Sequence, residues 1–281
     1  MKHVLINGWY AGADGVGSGQ YIDHLLRMLP AAAPDVRWSL LVPQTQSLPE
    51  YAGVGVLRHT LVRAPRQVQK VWWEQVVTPR IAKHIGADRL WVPYWAAPWW
   101  QPVPVVVTVH DLIPMLLPEN RGGFFNRAYT RLVAATAKKS ARVIAVSHAG
   151  KRDIVTHLGI APERVAVVWH GPNQEGMPSP TGAEIAAVRA RYGLPAGYFL
   201  YLGGFEVRKN LQGILESYAR YLQRGGSTEV RLVVAGKLPR EDSIFTPDPR
   251  RIARELGLEE QVIFPGFIDE ADKLAVDAGA T

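Results

Sequence analysis

Short apolar runs rich in β-branched residues alternate along this chain with longer segments whose apolar positions recur every three or four residues. HVLIN, RWSLLVP, DRLWVP, VPVVVTV, RVIAV and RVAVVW are the short runs, and GQYIDHLLRMLP and FFNRAYTRLVAATAKKS are among the longer ones. That alternation predicts parallel βαβ units, and the near-continuous apolar character of the runs predicts strands covered by helices on both faces. A turn-rich stretch from Pro172 to Pro180, PNQEGMPSP, interrupts the pattern and reads as a linker. Alternation then resumes with YFLYLG, a helix after Asn210, VRLVVAG, a helix near Arg250 to Leu256, QVIFPG and a last helix from about Asp269. The expected fold is α/β with two doubly wound, Rossmann-like domains. Residues 1–172 form the first, 173–194 a linker and leading helix, and 195–281 the second. No fixed-period repeat occurs.

Open parallel sheets bind ligands beyond the carboxyl ends of their strands. By that rule Gly15, Gly17 and Gly19, then His110 with Asp111, and Ser147 with His148 fall on one rim. GGFEVRKN, Gly236 with Lys237, and Gly266 with Phe267 fall on another. Two such rims facing across a hinge are expected to make a cleft.

Composition narrows the partners. At 281 residues with a net charge of +7, the chain suits two cores and an anionic partner, for which nucleic acid, a membrane surface and a phosphorylated small molecule are equal candidates. Cysteine is absent, which removes disulfides, thiolate metal sites and a thiol nucleophile and fits a reducing cytoplasm. MKHVLINGWY carries too short an apolar run for a signal peptide, and PVPVVVTV is far below the roughly 20 apolar residues of a membrane span. A soluble protein is expected.

The glycine run GADGVGSGQ is either a phosphate cradle or a tight turn built for close packing, and it matches neither the dinucleotide fingerprint nor a P-loop. His110, in VTVHDLIP, either meets a substrate hydroxyl or is satisfied by neighbouring backbone, and Asp111 either orients it or caps the next turn. In AVSHAG the alanines at 145 and 149 argue against a nucleophile elbow, so Ser147 is expected as a helix N-cap. WVPYWAAPWWQP and VWWEQ concentrate aromatics that either stack on a sugar or lipid headgroup, or bury a stiff loop. With Lys70, Arg66, Arg121 and Arg127 they suggest a face for an anionic membrane. No D-x-D tripeptide is present to clamp a metal-bridged diphosphate. Arg208 and Lys209 instead stand immediately before a helix amino end, where cations are unfavourable unless an anion neutralises them.

GGFEVRKN, VTVHDLIP, RVIAVSHAGKRDIVTHLGIAPERVAVVWHGPN and VIFPGFI together resemble the family 4-type retaining glycosyltransferases of GT-B fold, over essentially the whole chain. The resemblance implies sugar transfer with retention from a nucleotide-diphosphate sugar to a glycan or lipid-linked acceptor, without metal or other cofactor. It implies that Arg208 and Lys209 hold the diphosphate, joined by Gly204 and approached by the loop of Gly15, Gly17, Ser18 and Gly19. His110 then lies by the transferred sugar and the backbone of Phe267 and Ile268 by the base. Trp95, Trp99, Asp111 and Ser147 are the expected acceptor contacts. The location expected is cytoplasmic, peripheral at the inner face of a membrane, with no nucleic-acid partner. The family pattern continues past DAGAT with an acidic E-x₇-E segment. A chain truncated at its carboxyl end is therefore expected, either the larger part of a split enzyme completed by a second segment or a non-catalytic remnant that binds a nucleotide sugar or glycan.

Overall fold

The computed structural model describes residues 1–13, 15–171 and 178–281. The chain divides into two compact units, Met1–Asn173 and Gln174–Thr281. Most of the linker expected at 172–180 lies outside the described residues.

In the first unit β1 (Lys2–Asn7) leads to α1 (Gly17–Ala32), β2 (Val36–Pro43) and β3 (Val54–His59). A long helix follows as α2 (Arg66–Trp72), a π-helical segment (Trp73–Val77) and α3 (Thr78–His84). Then come β4 (Arg89–Val92), β5 (Val105–Val109), α4 (Ile113–Leu116), α5 (Phe124–Lys139), β6 (Arg142–Ala145), α6 (His148–Leu158) and β7 (Val165–Val167). The strands form one parallel sheet in the order β3-β2-β1-β4-β5-β6-β7. Successive strand residues alternate faces, so Leu5 and Leu41 enter one core while Ile6 and Leu40 enter the other. Both faces are covered, which is why the strands read as unbroken apolar runs. The order reverses between β1 and β4, and ligands of such sheets sit beyond the carboxyl ends at that reversal.

Two elements here escape the sequence pattern. Edge strand β3, VGVLRH, is half exposed and too polar to stand out. The helix over 66–84 contains the tryptophans of VWWEQ and Pro79. Proline has no N–H for the carbonyl four residues back, and the widened π turn lies just before it. Trp73 is thus a fully buried helical side chain, not part of an exposed aromatic loop.

The second unit holds α7 (Gly182–Tyr192), β8 (Tyr198–Leu202), α8 (Leu211–Gln223), β9 (Arg231–Ala235), α9 (Pro249–Glu255), β10 (Val262–Gly266) and α10 (Lys273–Ala278). Its described strands form a parallel sheet in the order β10-β9-β8. The leading helix α7 does not stand apart with the linker. Val188 and Leu194 join Tyr198 and Val276 in one core, and Arg191 and Tyr192 converge on Asp272 at 2.6 and 2.7 Å. No helix of the described residues is long and apolar enough to cross a membrane.

Candidate functional site

At the carboxyl rim of the first sheet, three aromatic rings meet. His110 follows β5, His170 follows β7, and Tyr21 comes from the second turn of α1. Tyr21 stacks on His170 at 4.8 Å and meets His110 edge-on at 4.9 Å, and the two imidazoles are 5.3 Å apart. His110 Nε2 lies 3.0 Å from the Pro93 carbonyl at the end of β4. An Nε2–H tautomer satisfies that carbonyl and leaves Nδ1 as an acceptor. His110 is therefore backbone-anchored, as one of its two sequence readings expects, and it stands on the rim. Burial, and then the charge of His110, hold His170 below the ordinary histidine value. His170 is not evident from the sequence because it lies three residues past Val167, the end of a strand of only three residues. Nor is Trp169, which is well exposed and meets His148 edge-on at 5.9 Å.

The glycine loop divides into two kinds of position. A Cβ on Gly19 would stand 2.2 Å from the Ala13 carbonyl oxygen and 2.8 Å from that of Tyr10, so this glycine is required by the helix's close approach to the loop. Gly15 and Gly17 meet nothing within 4 Å. Gly17 and Ser18 are the first residues of α1. Asp23, buried on the same helix, accepts from Gly12 N at 3.0 and 3.2 Å and from the Tyr51 hydroxyl. That carboxylate holds the loop over the helix.

The expected acceptor residues are largely committed elsewhere. Asp111 Oδ1 accepts from Ile113 N at 3.0 Å, so it caps the turn and does not orient His110. Ser147 Oγ accepts from Gly150 N at 2.9 Å as the N-cap of α6. Trp95 Nε1 donates to Val133 O at 3.1 Å, which pins its loop to α5. Trp99 lies beneath Lys139, whose ammonium is 4.0 Å from the ring centroid, and Trp100 lies beneath Lys83 at 5.5 Å. Those lysines end helices that return to the starts of β6 and β4. Trp99 and Trp100 therefore belong to the amino end of the sheet, opposite His110, because β5 follows β4 without a helix and the connection must run back along the sheet. The basic and aromatic face expected around them is not assembled either, since Lys70 turns inward.

Lys70 belongs to a buried cluster at the strand-order reversal. Its ammonium is 2.5 Å from Glu74 Oε1 and lies over the Tyr10, Tyr94 and Tyr129 rings at 5.7, 5.2 and 4.5 Å. Tyr129 donates to Glu74 Oε2 at 2.8 Å, and Trp73 Nε1 donates to Asn7 Oδ1 at 2.9 Å. Burial raises the Glu74 carboxyl above its ordinary value, while Lys70 and the hydroxyls oppose the rise.

In the second unit the three strand ends converge. Gly203 N donates to Ala235 O, and Gly236 N donates to Gly266 O. A Cβ on Gly236 would stand 2.1 Å from the Gly203 carbonyl oxygen. Arg208 and Lys209 occupy a 3₁₀ turn between β8 and α8, on that rim. Asn210, left-handed at φ 52°, caps α8 by accepting from Gly213 N at 3.3 Å; asparagine tolerates this conformation. The anion that the sequence lacked is partly supplied by Glu206, whose Oε1 is 3.6 Å from Arg208 Nη2. Its Oε2 is buried without a partner, and it lies where a side chain on Gly204 would be. Among the described residues Lys209 has no ion pair. A cavity of about 290 Å³ beside the start of α8 is lined by Glu206, Asn210 and Glu216, and not by the two cations. The Ile268 side chain is core, so only its backbone borders the rim, whereas Phe267 is exposed. Among the described residues there is no cluster of three histidine or acidic side chains fit to hold a metal.

Comparison with known proteins agrees with this architecture. A mannosyltransferase of Escherichia coli, WbdA, is 27% identical over 198 residues, covering 69% of this chain and 23% of its own length. The chain thus spans about a quarter of that curated relative. Among solved structures, sucrose-phosphate synthase of Thermosynechococcus elongatus superposes with a TM-score of 0.67 at 17% identity, covering all of this chain and 74% of the other. HepE of Anabaena, solved in complex with UDP, superposes at 0.60 with 15% identity, covering all of this chain and 72% of the other. These likenesses show the GT-B fold. The sequence model of Glycosyltransferase Family 4 matches residues 16–175, more than half the chain, and the chain belongs to that family.

Proposed function

We propose that this chain serves transfer of a sugar, with retention, from a nucleoside-diphosphate sugar to a glycan or lipid-linked acceptor. The observation that carries the reading is the Arg208–Lys209 pair on the β8 rim, set before the amino end of a 13-residue helix. In glycosyl transfer the bond between the anomeric carbon and the diphosphate oxygen breaks as the acceptor oxygen bonds to that carbon and gives up its proton. Negative charge grows on the departing diphosphate. Two cations and the free amides of a helix start are suited to stabilise it there. Gly204 lets backbone approach the same group, and the backbone at Phe267 and Ile268 is assigned to the base.

On the first unit, His110 is assigned to the transferred sugar, with Nδ1 available to accept from a hydroxyl. The loop of Gly15, Gly17 and Ser18 is assigned to the donor's phosphates, since neither glycine has an internal packing reason. Trp169, exposed on the rim, replaces Trp95 and Trp99 as the aromatic acceptor contact. A peripheral contact with an anionic membrane belongs to this reading, because a lipid-linked acceptor is presented at such a surface.

The test is calorimetric titration with nucleoside diphosphates, followed by an assay for diphosphate release from the matching sugars. A mannose donor is the first to try, given WbdA, and UDP the first free nucleotide, given HepE. Saturable binding that disappears in Arg208→Ala/Lys209→Ala supports the assignment; equal affinity in that variant refutes it.

A further inference from the structure

The two rim histidines reach each other from strands that are not neighbours. β6 lies between β5 and β7, and Val168 N donates to Ala145 O at 2.9 Å, which turns the chain leaving β7 across the end of β6. His170 thereby meets His110, which leaves β5, with ring centroids 5.3 Å apart and ring planes at 66°. Tyr21 fixes both rings: it stacks on His170 with an interplanar angle of 30° and meets His110 at 88°. Its own ring stands edge-on to Trp91 at 6.2 Å, and Trp91 Nε1 donates to Thr108 Oγ1 at 3.1 Å. That chain of contacts leaves each imidazole little room to swing.

His110 is oriented as metal-binding histidines are. One ring nitrogen donates to a backbone carbonyl, Pro93 O at 3.0 Å, which fixes the tautomer and leaves the Nδ1 lone pair free. His170 is exposed, and no hydrogen bond engages its ring among the described residues. Two imidazoles bound to one tetrahedral ion at roughly 2 Å hold their ring centroids about 5 Å apart. The observed 5.3 Å meets that spacing with no ion present. Among the described residues no third histidine, cysteine or carboxylate joins the pair, so water completes the coordination and the ion exchanges. Imidazole nitrogen suits zinc, copper and nickel, whereas magnesium and calcium take oxygen ligands.

We propose that His110 and His170 together bind a borderline-soft divalent ion, zinc in the first instance, through two imidazole nitrogens and water. No step of sugar transfer runs through the ion. Nδ1 of His110 is the atom assigned to the transferred sugar, so an ion on it excludes the sugar hydroxyl and closes this part of the rim. Only that last consequence rests on the proposed sugar transfer; ion binding is measured without it.

The experiment takes the full chain without a histidine tag, stripped of metal by a chelator, and titrates it with zinc chloride by calorimetry while NMR follows the imidazole ring protons. One equivalent of zinc should bind saturably and move the His110 and His170 resonances together, leaving those of His24, His84 and His157 in place. Magnesium and calcium should give neither heat nor shift. His110→Gln and His170→Gln should each weaken zinc binding about tenfold or more, since even the partners that orient a ligand are worth that much. His170→Gln should keep its thermal midpoint at neutral pH, because the side chain is exposed. Equal zinc affinity in the parent and both variants, shifts confined to other histidines, or no binding by the parent overturns the site. Zinc that binds the pair yet leaves the affinity for a nucleoside-diphosphate sugar unchanged would count against assigning His110 to the sugar and leave the metal site standing.

Discussion

His110 and His170 face each other across 5.3 Å at the carboxyl rim of the first sheet, with the Tyr21 ring against both. Two imidazoles this close disfavour simultaneous protonation. His170 is already held below 6.5 by burial, and the charge of His110 adds to that. The pair therefore enters neutral pH with His170 uncharged and free to act as a donor or acceptor.

The sign of the stability effect follows from the depressed folded value. Between it and 6.5 the unfolded chain binds more protons than the folded one, so stability rises with pH across that window and is complete above 6.5. Acidification below 6.5 removes it. His170→Gln should flatten this part of a urea-midpoint profile against pH. His110→Gln should move the His170 titration upward, as read from its ring-proton shifts by NMR. An unmoved His170 titration would mean that the imidazoles are not coupled.

Arg208→Ala/Lys209→Ala should weaken nucleoside-diphosphate binding more than about 100-fold, since hydrogen bonds to charged groups contribute roughly 1.5–3 kcal/mol each. Folding should be unaffected, because both residues are exposed and the Arg208–Glu206 contact, at 3.6 Å and well solvated, contributes little. Calorimetry and a thermal melt on the same preparation separate the two effects. A loss of stability matching the loss of binding would make the pair structural.

Gly17 and Gly19 should respond in opposite ways to one methyl group. Gly19→Ala forces a Cβ to 2.2 Å from the Ala13 carbonyl oxygen, and such overpacking costs about 1–3 kcal/mol. Gly17→Ala meets open space, so its stability should stay within about 0.5 kcal/mol of the parent. If the loop also approaches the donor phosphates, Gly17→Ala lowers nucleotide-sugar affinity in a chain of normal stability. Unchanged affinity would leave the glycine loop with a packing role alone.

The repeating strands and helices of both units were legible because the central strands of the first sheet are buried on both faces, and the half-buried β8 and β10 of the second still announce themselves as apolar runs. Edge strand β3 and the helix over 66–84 were not, for opposite reasons. β3 is half solvated and lacks the run, while the helix carries two tryptophans and a proline that read as a loop. The rim rule placed His110 and the Arg208–Lys209 pair correctly on strand ends. Trp99, expected as an acceptor contact from the aromatic tract, lies away from the rim because β4 passes to β5 without a helix and the connection returns to the amino end of the sheet. The side chains of Asn7, Lys70, Glu74, Tyr94 and Tyr129 come from four places along the chain, and only the i,i+4 spacing of Lys70 and Glu74 is local.

That cluster yields a test of its own. Glu74 is fully buried, and burial lifts its carboxyl above 4.5 despite the Lys70 ammonium at 2.5 Å. A folded value above the unfolded one means that its contribution is full below 4.5 and declines as pH rises through the folded value. Removing one partner leaves the other charge stranded beneath the tyrosines, so Glu74→Ala should destabilise by about 3–5 kcal/mol. Replacing both, as Lys70→Met/Glu74→Leu, should recover most of that loss, because well-packed apolar side chains substitute for a buried pair at little or no cost. Urea unfolding of the three chains measures each step. If the double replacement proves as damaging as the single one, then hydrogen bonds from Tyr129, and not the ion pair, hold the π-helical turn against α5 at the end of β1.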